Sequence, residues 1–181
     1  MVLPGHLAGG YLAARALLSL THASFPPGQT TALLAIGTLA GELPDIDLVR
    51  FALDKRDADH RDYFTHAPLF WLAIALVIAL VGYAAGSPFS EFVGWLVLSG
   101  SWCHLLFDSV EYGVMWLWPF SVKRFALERR VPEEHIDAPA GSLRHHVAFM
   151  FGPYLKTWTF WAEIAVTLFA LYLLLFVHQI G

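Results

Sequence analysis

Residues 67–85 read APLFWLAIALVIALVGYAA, a stretch without a single charged side chain. A helix of about 20 mostly apolar residues is long enough to cross the hydrocarbon core of a bilayer. The chain of 181 residues is 57% hydrophobic and 14% charged. Soluble domains are typically about 25% charged. The segment and the composition together predict an integral membrane protein.

Four further apolar segments accompany this stretch, and each contains some polar or helix-breaking residues. Turns at Pro26-Pro27-Gly28 and Gly86-Ser87-Pro88 separate neighbouring segments. The sequence therefore predicts an all-α fold, a polytopic membrane helix bundle that forms one integral membrane domain over residues 1–181. We expect residues 121–157 to form a cytoplasmic loop. The predicted membrane segments are residues 3–20, 30–53, 67–85, 89–120 and 158–177.

The lysines and arginines are concentrated in two of the connecting loops. Loops rich in these residues stay on the cytoplasmic side of a membrane. The turns near residues 24–29 and 86–90 contain neither residue type. With five segments, this pattern predicts a multi-pass protein whose N-terminus is cytoplasmic and whose C-terminus is outside. The basic residues of the two loops are Arg50, Lys55, Arg56, Arg61, Lys123, Arg124, Arg129, Arg130, Arg144 and Lys156.

Net charge and cysteine content exclude two kinds of feature. The formal net charge is −4, and binding to nucleic acid would call for a basic face. Cys103 is the only cysteine, so an intramolecular disulfide is impossible. We therefore expect no nucleic-acid partner. The apolar segments make membrane lipid the expected partner.

His104 and Asp108 stand four residues apart in the fourth predicted segment. In a helix this spacing places both side chains on one face. Such a pair can bind one metal ion, or the carboxylate can orient a ligating imidazole. A buried hydrogen bond that tightens helix packing is the alternative. Ionisable residues inside membrane segments are costly, which favours a functional role.

Asp45 and Asp47 follow Pro44, which breaks the helical hydrogen-bond pattern near the end of the second segment. Two carboxylates in irregular backbone can reach one cation or two neighbouring cations. An ordinary polar helix end at the membrane surface is the alternative.

Three histidines lie near the predicted cytoplasmic side. His6 begins the first segment, His60 lies in a basic loop, and His66 stands where the third segment enters the bilayer. Because the orientation was derived from lysine and arginine alone, their convergence with the aspartates is an independent indication of one polar site. The predicted metal ligands are His6, Asp45, His60, His66, His104 and Asp108.

Imidazole and carboxylate ligands suit zinc, with manganese or iron as alternatives. A divalent metal with an open position supplies hydroxide at neutral pH. Asp47 or Glu111 can then act as the catalytic base. Positively charged side chains nearby can bind a phosphate or a lipid headgroup. The predicted substrate-binding residues are Arg61, Lys123 and Arg124, which can equally be cytoplasmic anchors.

Several short motifs follow one another between His6 and about Arg124. They are His6 with Gly9-Gly10, Leu43-Pro44-Asp45-Ile46-Asp47, His60-Arg61, Thr65-His66, His104-Leu105-Leu106-Phe107-Asp108-Ser109 and Trp118-Pro119-Phe120-Ser121. In this order they resemble the YdjM/YbcI-like family, also called DUF457. The resemblance implies a metal-dependent hydrolase of the inner membrane.

The chain departs from the family pattern at Asp62 and Ala67, where Gly and Ser are common in the family. It also has Leu48 and Val49 where a further histidine often occurs. These changes leave the main candidate ligands intact. The order of histidines and aspartates is also remotely similar to zinc-dependent phospholipase C, an all-helical enzyme, which implies a phosphoester or phospholipid substrate.

The sequence thus favours a metal-dependent hydrolase that acts on a phosphoester or lipid-linked substrate at the cytoplasmic membrane face. A non-catalytic membrane scaffold with a structural metal or polar cluster is the alternative. An ion transporter ranks last, because the polar residues gather on one side of the membrane and residues 67–85 contain no charged side chain that could line a path across it.

Overall fold

The computed structural model describes residues 3–47, 60–128, 148 and 151–177. This part of the chain consists of α-helices and short 3₁₀ turns and contains no β-strand, so the all-α prediction is confirmed. The helices in it are α1 (Leu3–Leu20), α2 (Pro27–Ala40), α3 (Pro68–Ala84), α4 (Pro88–Glu111) and α5 (Trp158–Phe176). The 3₁₀ turns are Leu43–Ile46, His60–Asp62, Phe64–His66 and Tyr154–Lys156.

Proline and hydroxyl side chains set the helix starts. Helices α2, α3 and α4 each begin with a proline, whose fixed φ suits the first helical position. Ser87 caps α4 by accepting a hydrogen bond from the amide of Ser90. Thr157 caps α5 in the same way through the amide of Phe160. These caps satisfy amides that the helices leave without an internal partner.

Two predicted segments are longer than the helices found there. Helix α2 ends at Ala40 instead of continuing to residue 53, and residues 48–53 lie outside the described part. Helix α4 ends at Glu111, not at residue 120, because Gly113 has a φ of 90° and reverses the chain. Of the predicted loop over residues 121–157, residues 129–147 and 149–150 also lie outside the described part.

Close helix contacts bring α1, α2 and α4 together. A Cβ atom added to Gly10 would lie 2.5 Å from the carbonyl oxygen of Gly37, and one on Gly100 would lie 2.6 Å from Cβ of Ala40. Only glycine allows backbones to approach this closely. Helix α3 packs along α4 around Trp71 and Leu105. The end of α2 is thereby held between α1 and α4, where the polar cluster lies.

One helix in the described part, α5, is long and apolar enough to cross a membrane. Helix α3 is apolar but shorter, at 17 residues. Both expose many large apolar side chains, as surfaces that contact lipid do. The five predicted crossings stay a prediction. The exposed apolar residues of α3 and α5 include Leu76, Val77, Leu80, Val81, Trp161, Leu168, Phe169, Leu174 and Leu175.

Candidate metal centre

Histidines and aspartates from distant parts of the sequence meet in one buried cluster. His6 lies in α1, Asp45 in the turn after α2, His66 in the turn before α3, and His104 and Asp108 in α4. The three histidine side chains are at most 2% exposed, and Asp108 is fully buried. The structure thus brings together five of the six residues that the sequence predicts as ligands.

His66 and His104 face Asp45. Oδ1 of Asp45 lies 3.4 Å from Nε2 of His66 and 3.5 Å from Nε2 of His104. Three ligand atoms from these residues lie within 4.8 Å of one another, which is close enough to surround one metal ion. His104 and Asp108 keep the i, i+4 relation expected of a helix, with 3.9 Å between Nε2 and Oδ2.

His6 lies on the other side of the cluster, beside Asp108. Nε2 of His6 is 3.5 Å from Oδ1 of Asp108, and Nδ1 is 3.8 Å from Oδ2 of Asp45. The rings of His6 and His104 lie 3.7 Å apart between centroids. His6, His104 and Asp108 form a second group of possible metal ligands.

Hydrogen bonds on Nδ1 fix the orientation of two imidazoles. His104 donates to the carbonyl oxygen of Gly41 at 2.7 Å, and His66 donates to Oδ2 of Asp47 at 2.9 Å. Carbonyl and carboxylate oxygens only accept, so the proton is on Nδ1. In the neutral ring, Nε2 then carries the lone pair that faces Asp45. This is the arrangement in which a histidine ligates a metal.

Asp47 lies behind His66, and the hydroxyl of Thr65 also donates to its Oδ2. Asp47 is 4% exposed. Its contacts are those of a carboxylate that orients a ligand. The catalytic-base role predicted for Asp47 stays a prediction.

The charges around the site shift the ionisation of its loop residues. Burial alone would lower the pKa of His66, but its hydrogen bonds to Asp45 and Asp47 outweigh burial and raise the pKa to about 9. Burial opposes ionisation of Asp45 too, yet His104 and His66 hold its pKa far below the usual range. Burial, and then the charge of Asp45, raise the pKa of Glu42 to about 7.

Unsatisfied nitrogen atoms indicate that the cluster fits a cation. Nε2 of His104 and both ring nitrogens of His6 are buried and have no hydrogen-bond partner among the described residues. Buried polar atoms are seldom left in this state, because the cost of desolvation is not recovered. Imidazole and carboxylate donors together suit zinc, manganese or iron. The residues present therefore fit the divalent metal that the sequence predicts.

Arg61 contacts the cluster directly. Its Nε donates to Oδ2 of Asp108 at 2.9 Å, and its guanidinium lies 3.8 Å from the ring centroid of Tyr112. Arg124 lies 3.6 Å from Asp62, and Lys123 is exposed. Of the three residues predicted to bind substrate, Arg61 is thus the one in contact with the candidate ligands.

The side chain of His60 lies outside the described residues, although its backbone belongs to the turn that carries Arg61. Glu111, the other predicted base, accepts a hydrogen bond from Thr159 of α5 at 2.7 Å. Its catalytic role stays a prediction.

Glu163 connects α5 to the start of α1. Oε1 accepts the backbone amide of Gly5 at 3.0 Å, and the hydroxyl of Tyr154 donates to Oε2. Because Gly5 precedes His6, this contact anchors the part of α1 that carries a candidate ligand. Glu163 is 3% exposed, and its contacts are those of a buried packing residue.

Glu42 is a possible metal ligand that was not predicted from the sequence. One of its oxygens forms a third possible ligand group with His6 and Asp45, within 4.8 Å. The feature of the sequence that could have indicated this role is a carboxylate directly before the Leu-Pro-Asp-Ile-Asp motif, in an otherwise apolar segment. Its role depends on α1 lying against the end of α2, and that contact is not visible in the local sequence.

Comparison with known proteins gives one match. The model of the YdjM inner membrane protein family matches residues 1–180. No curated protein and no solved structure matches the chain, so the remote likeness to phospholipase C finds no support there. Because the match spans nearly the whole sequence, the chain belongs to the YdjM inner membrane protein family.

Proposed function

We propose that this protein is a membrane-embedded, metal-dependent hydrolase that acts on a phosphoester or lipid-linked substrate at the cytoplasmic face of the inner membrane. The observation that supports it most is the buried convergence of His6, His66 and His104 on Asp45 and Asp108. Such a donor set suits zinc, with manganese or iron as alternatives.

The protein side chains have separate tasks in this proposal. A divalent cation held by these histidines and aspartates would supply hydroxide at neutral pH, because coordination lowers the pKa of water. Asp47 and the carbonyl of Gly41 hold His66 and His104 so that Nε2 of each faces Asp45. Histidines whose rings are fixed in this way bind a metal more tightly, because they lose little orientational freedom on binding.

Arg61 is the side chain best placed to bind an anionic substrate. A guanidinium carries five N–H donors, so it can contact a carboxylate and a phosphate at the same time. Its stacking on Tyr112 and its bond to Asp108 keep it beside the candidate ligands. Arg124 and Lys123 are assigned to the outer part of a phosphate or headgroup site.

The proposal includes a multi-pass arrangement with a cytoplasmic N-terminus. The apolar outer surfaces of α3 and α5 support contact with lipid on at least two sides of the bundle. The basic loop residues support a cytoplasmic position for the cluster end of the helices. A lipid-linked substrate would then reach the site from the membrane surface.

The direct test is hydrolysis by protein purified in detergent. Phosphomonoester, phosphodiester and phospholipid substrates are supplied with Zn²⁺ or Mn²⁺ to the wild type, to His104→Gln and to His22→Asn. His22 is an exposed residue with a φ of 50°, which asparagine tolerates. We expect metal-dependent turnover in the wild type and in His22→Asn, and none in His104→Gln. No turnover of any substrate by metal-loaded wild type contradicts the proposal.

A non-catalytic membrane scaffold is the second candidate. It is favoured by the number of elements that the cluster joins, namely α1, α4 and the turns before α3 and after α2. It predicts that metal removal lowers the melting temperature while no substrate is hydrolysed. An ion transporter has less support, because the candidate ligands gather at one end of the helices and α3 is apolar throughout.

A further inference from the structure

The carboxylate of Asp45 has its two oxygens turned towards different histidines. Oδ1 faces His66 and His104 at 3.4 and 3.5 Å, whereas Oδ2 lies 3.8 Å from Nδ1 of His6. In two-metal sites the ions lie about 3.5–4 Å apart. A carboxylate with ligand nitrogens beside each oxygen has the geometry of a bridge between two such ions.

Glu42 completes the His6 side of this bridge. An oxygen of Glu42, a nitrogen of His6 and an oxygen of Asp45 lie within 4.8 Å of one another. Oε1 of Glu42 is buried and has no hydrogen-bond partner among the described residues. The same holds for both nitrogens of His6, which is 2% exposed. Buried polar atoms normally have a partner, and a cation bound between Glu42 and His6 would supply one to both.

We propose that the centre holds two divalent cations and that Glu42 ligates the second of them, together with His6 and Oδ2 of Asp45. The first cation takes His66, His104 and Oδ1 of Asp45. The inference rests on the proposed function, since it presumes a cation at the first position. It adds the second position and assigns a ligand role to Glu42.

Charge favours two cations over one. The described carboxylates of the centre are Glu42, Asp45, Asp47 and Asp108, and the guanidinium of Arg61 contacts Asp108. Metal ligands must lose their protons on binding, and in that state, with neutral imidazoles, these five described side chains carry a net charge of about −3, the difference between four carboxylates and one guanidinium. One divalent cation leaves the centre negative, whereas two make it positive. The doubly loaded centre therefore attracts an anionic phosphoester more strongly.

The test is a Mn²⁺ titration of the full chain in detergent, read by elemental mass spectrometry and by electron paramagnetic resonance. We expect about two Mn²⁺ per chain in the wild type, with the spectrum of a spin-coupled pair. Glu42→Gln keeps the size of the side chain but removes its charge. We expect this variant to bind one Mn²⁺ with a single-ion spectrum, and the ion that it retains shows that it is folded.

Two further variants complete the experiment. Glu91→Gln, at the opposite end of α4, is the matched control and should bind two Mn²⁺. His66→Gln removes a ligand of the first position and, like Glu42→Gln, should lose the spectrum of the coupled pair. The inference is overturned if the wild type binds a single Mn²⁺, or if Glu42→Gln keeps the coupled pair or loses both ions. Phosphoester hydrolysis by a protein with one ion would overturn this inference and leave the proposed function standing.

Discussion

His66 and Asp47 share a hydrogen bond of 2.9 Å between Nδ1 and Oδ2, while Nε2 of the same imidazole faces Asp45. The two aspartates of the Leu-Pro-Asp-Ile-Asp motif therefore contact opposite nitrogens of one histidine. Asp45 lies among the candidate ligands, and Asp47 fixes the ring that carries a ligand. This division of roles explains why the motif contains two carboxylates in and beside a short 3₁₀ turn.

Asp47→Asn tests this positioning role. We expect metal affinity to fall about 10–100-fold, as it does when a partner of a metal-ligating histidine is replaced. Turnover should recover at saturating metal, because the amide side chain of the variant would still fill the space beside His66. Metal titration followed by activity measurement separates the two effects. Asp62→Asn, an exposed residue paired with Arg124, is the control. Unchanged affinity with lost turnover would instead make Asp47 the catalytic base.

Gly41→Ala tests the contact between α1 and the end of α2. Gly41 has a helical φ of −63°, so alanine causes no backbone strain of its own. The added Cβ would, however, lie 2.3 Å from the carbonyl oxygen of His6. We expect a loss of about 1–3 kcal/mol in the free energy of unfolding, together with weaker metal binding.

Gly28→Ala is the matched control for that substitution. Gly28 lies in α2 and has no atom within 4 Å of an added Cβ. Alanine there should stabilise the protein by about 0.5–1 kcal/mol, because glycine is less favourable in a helix. Thermal and chemical unfolding in detergent measure both variants. Equal stability of the two would show that the approach of α1 to Gly41 is not as close as described.

Metal affinity should depend on pH through His66. In the metal-free protein the pKa of this residue is raised to about 9, so at neutral pH the imidazole carries a second proton, on Nε2. A metal ion must displace that proton, and acidification therefore weakens binding. Between pH 8 and 6 we expect up to about a tenfold loss of affinity per pH unit. Titration calorimetry in buffers of different ionisation enthalpy measures the released proton. Affinity that is flat over this range would contradict a protonated His66.

Local chemistry made part of the centre predictable. The spacing of His104 and Asp108 places both on one face of any helix, and the structure keeps them together. Pro44 indicated an irregular turn, which is a 3₁₀ turn in the structure. The convergence of His6 and His66 with these residues followed from the basic loops and the membrane orientation, and both are in the cluster.

Other features depend on how helices pack, which a single sequence does not reveal. The roles of Asp45 and Asp47 diverge because the turn after α2 meets the turn before α3. Glu42 enters the site only because α1 lies against Gly41. The end of α4 at Glu111 depends on the chain reversal at Gly113, although the residues beyond it are as apolar as the helix itself.

Every role proposed for the cluster depends on a bound metal, and elemental mass spectrometry of the detergent-purified protein tests its presence most directly. The wild type and His22→Asn are compared with His104→Ala, after size-exclusion chromatography has shown that each is folded. We predict at least about one equivalent of zinc, manganese or iron in the first two proteins, and its loss in His104→Ala. No metal in the wild type after reconstitution, or full retention of metal in His104→Ala, would contradict a metal centre at this cluster.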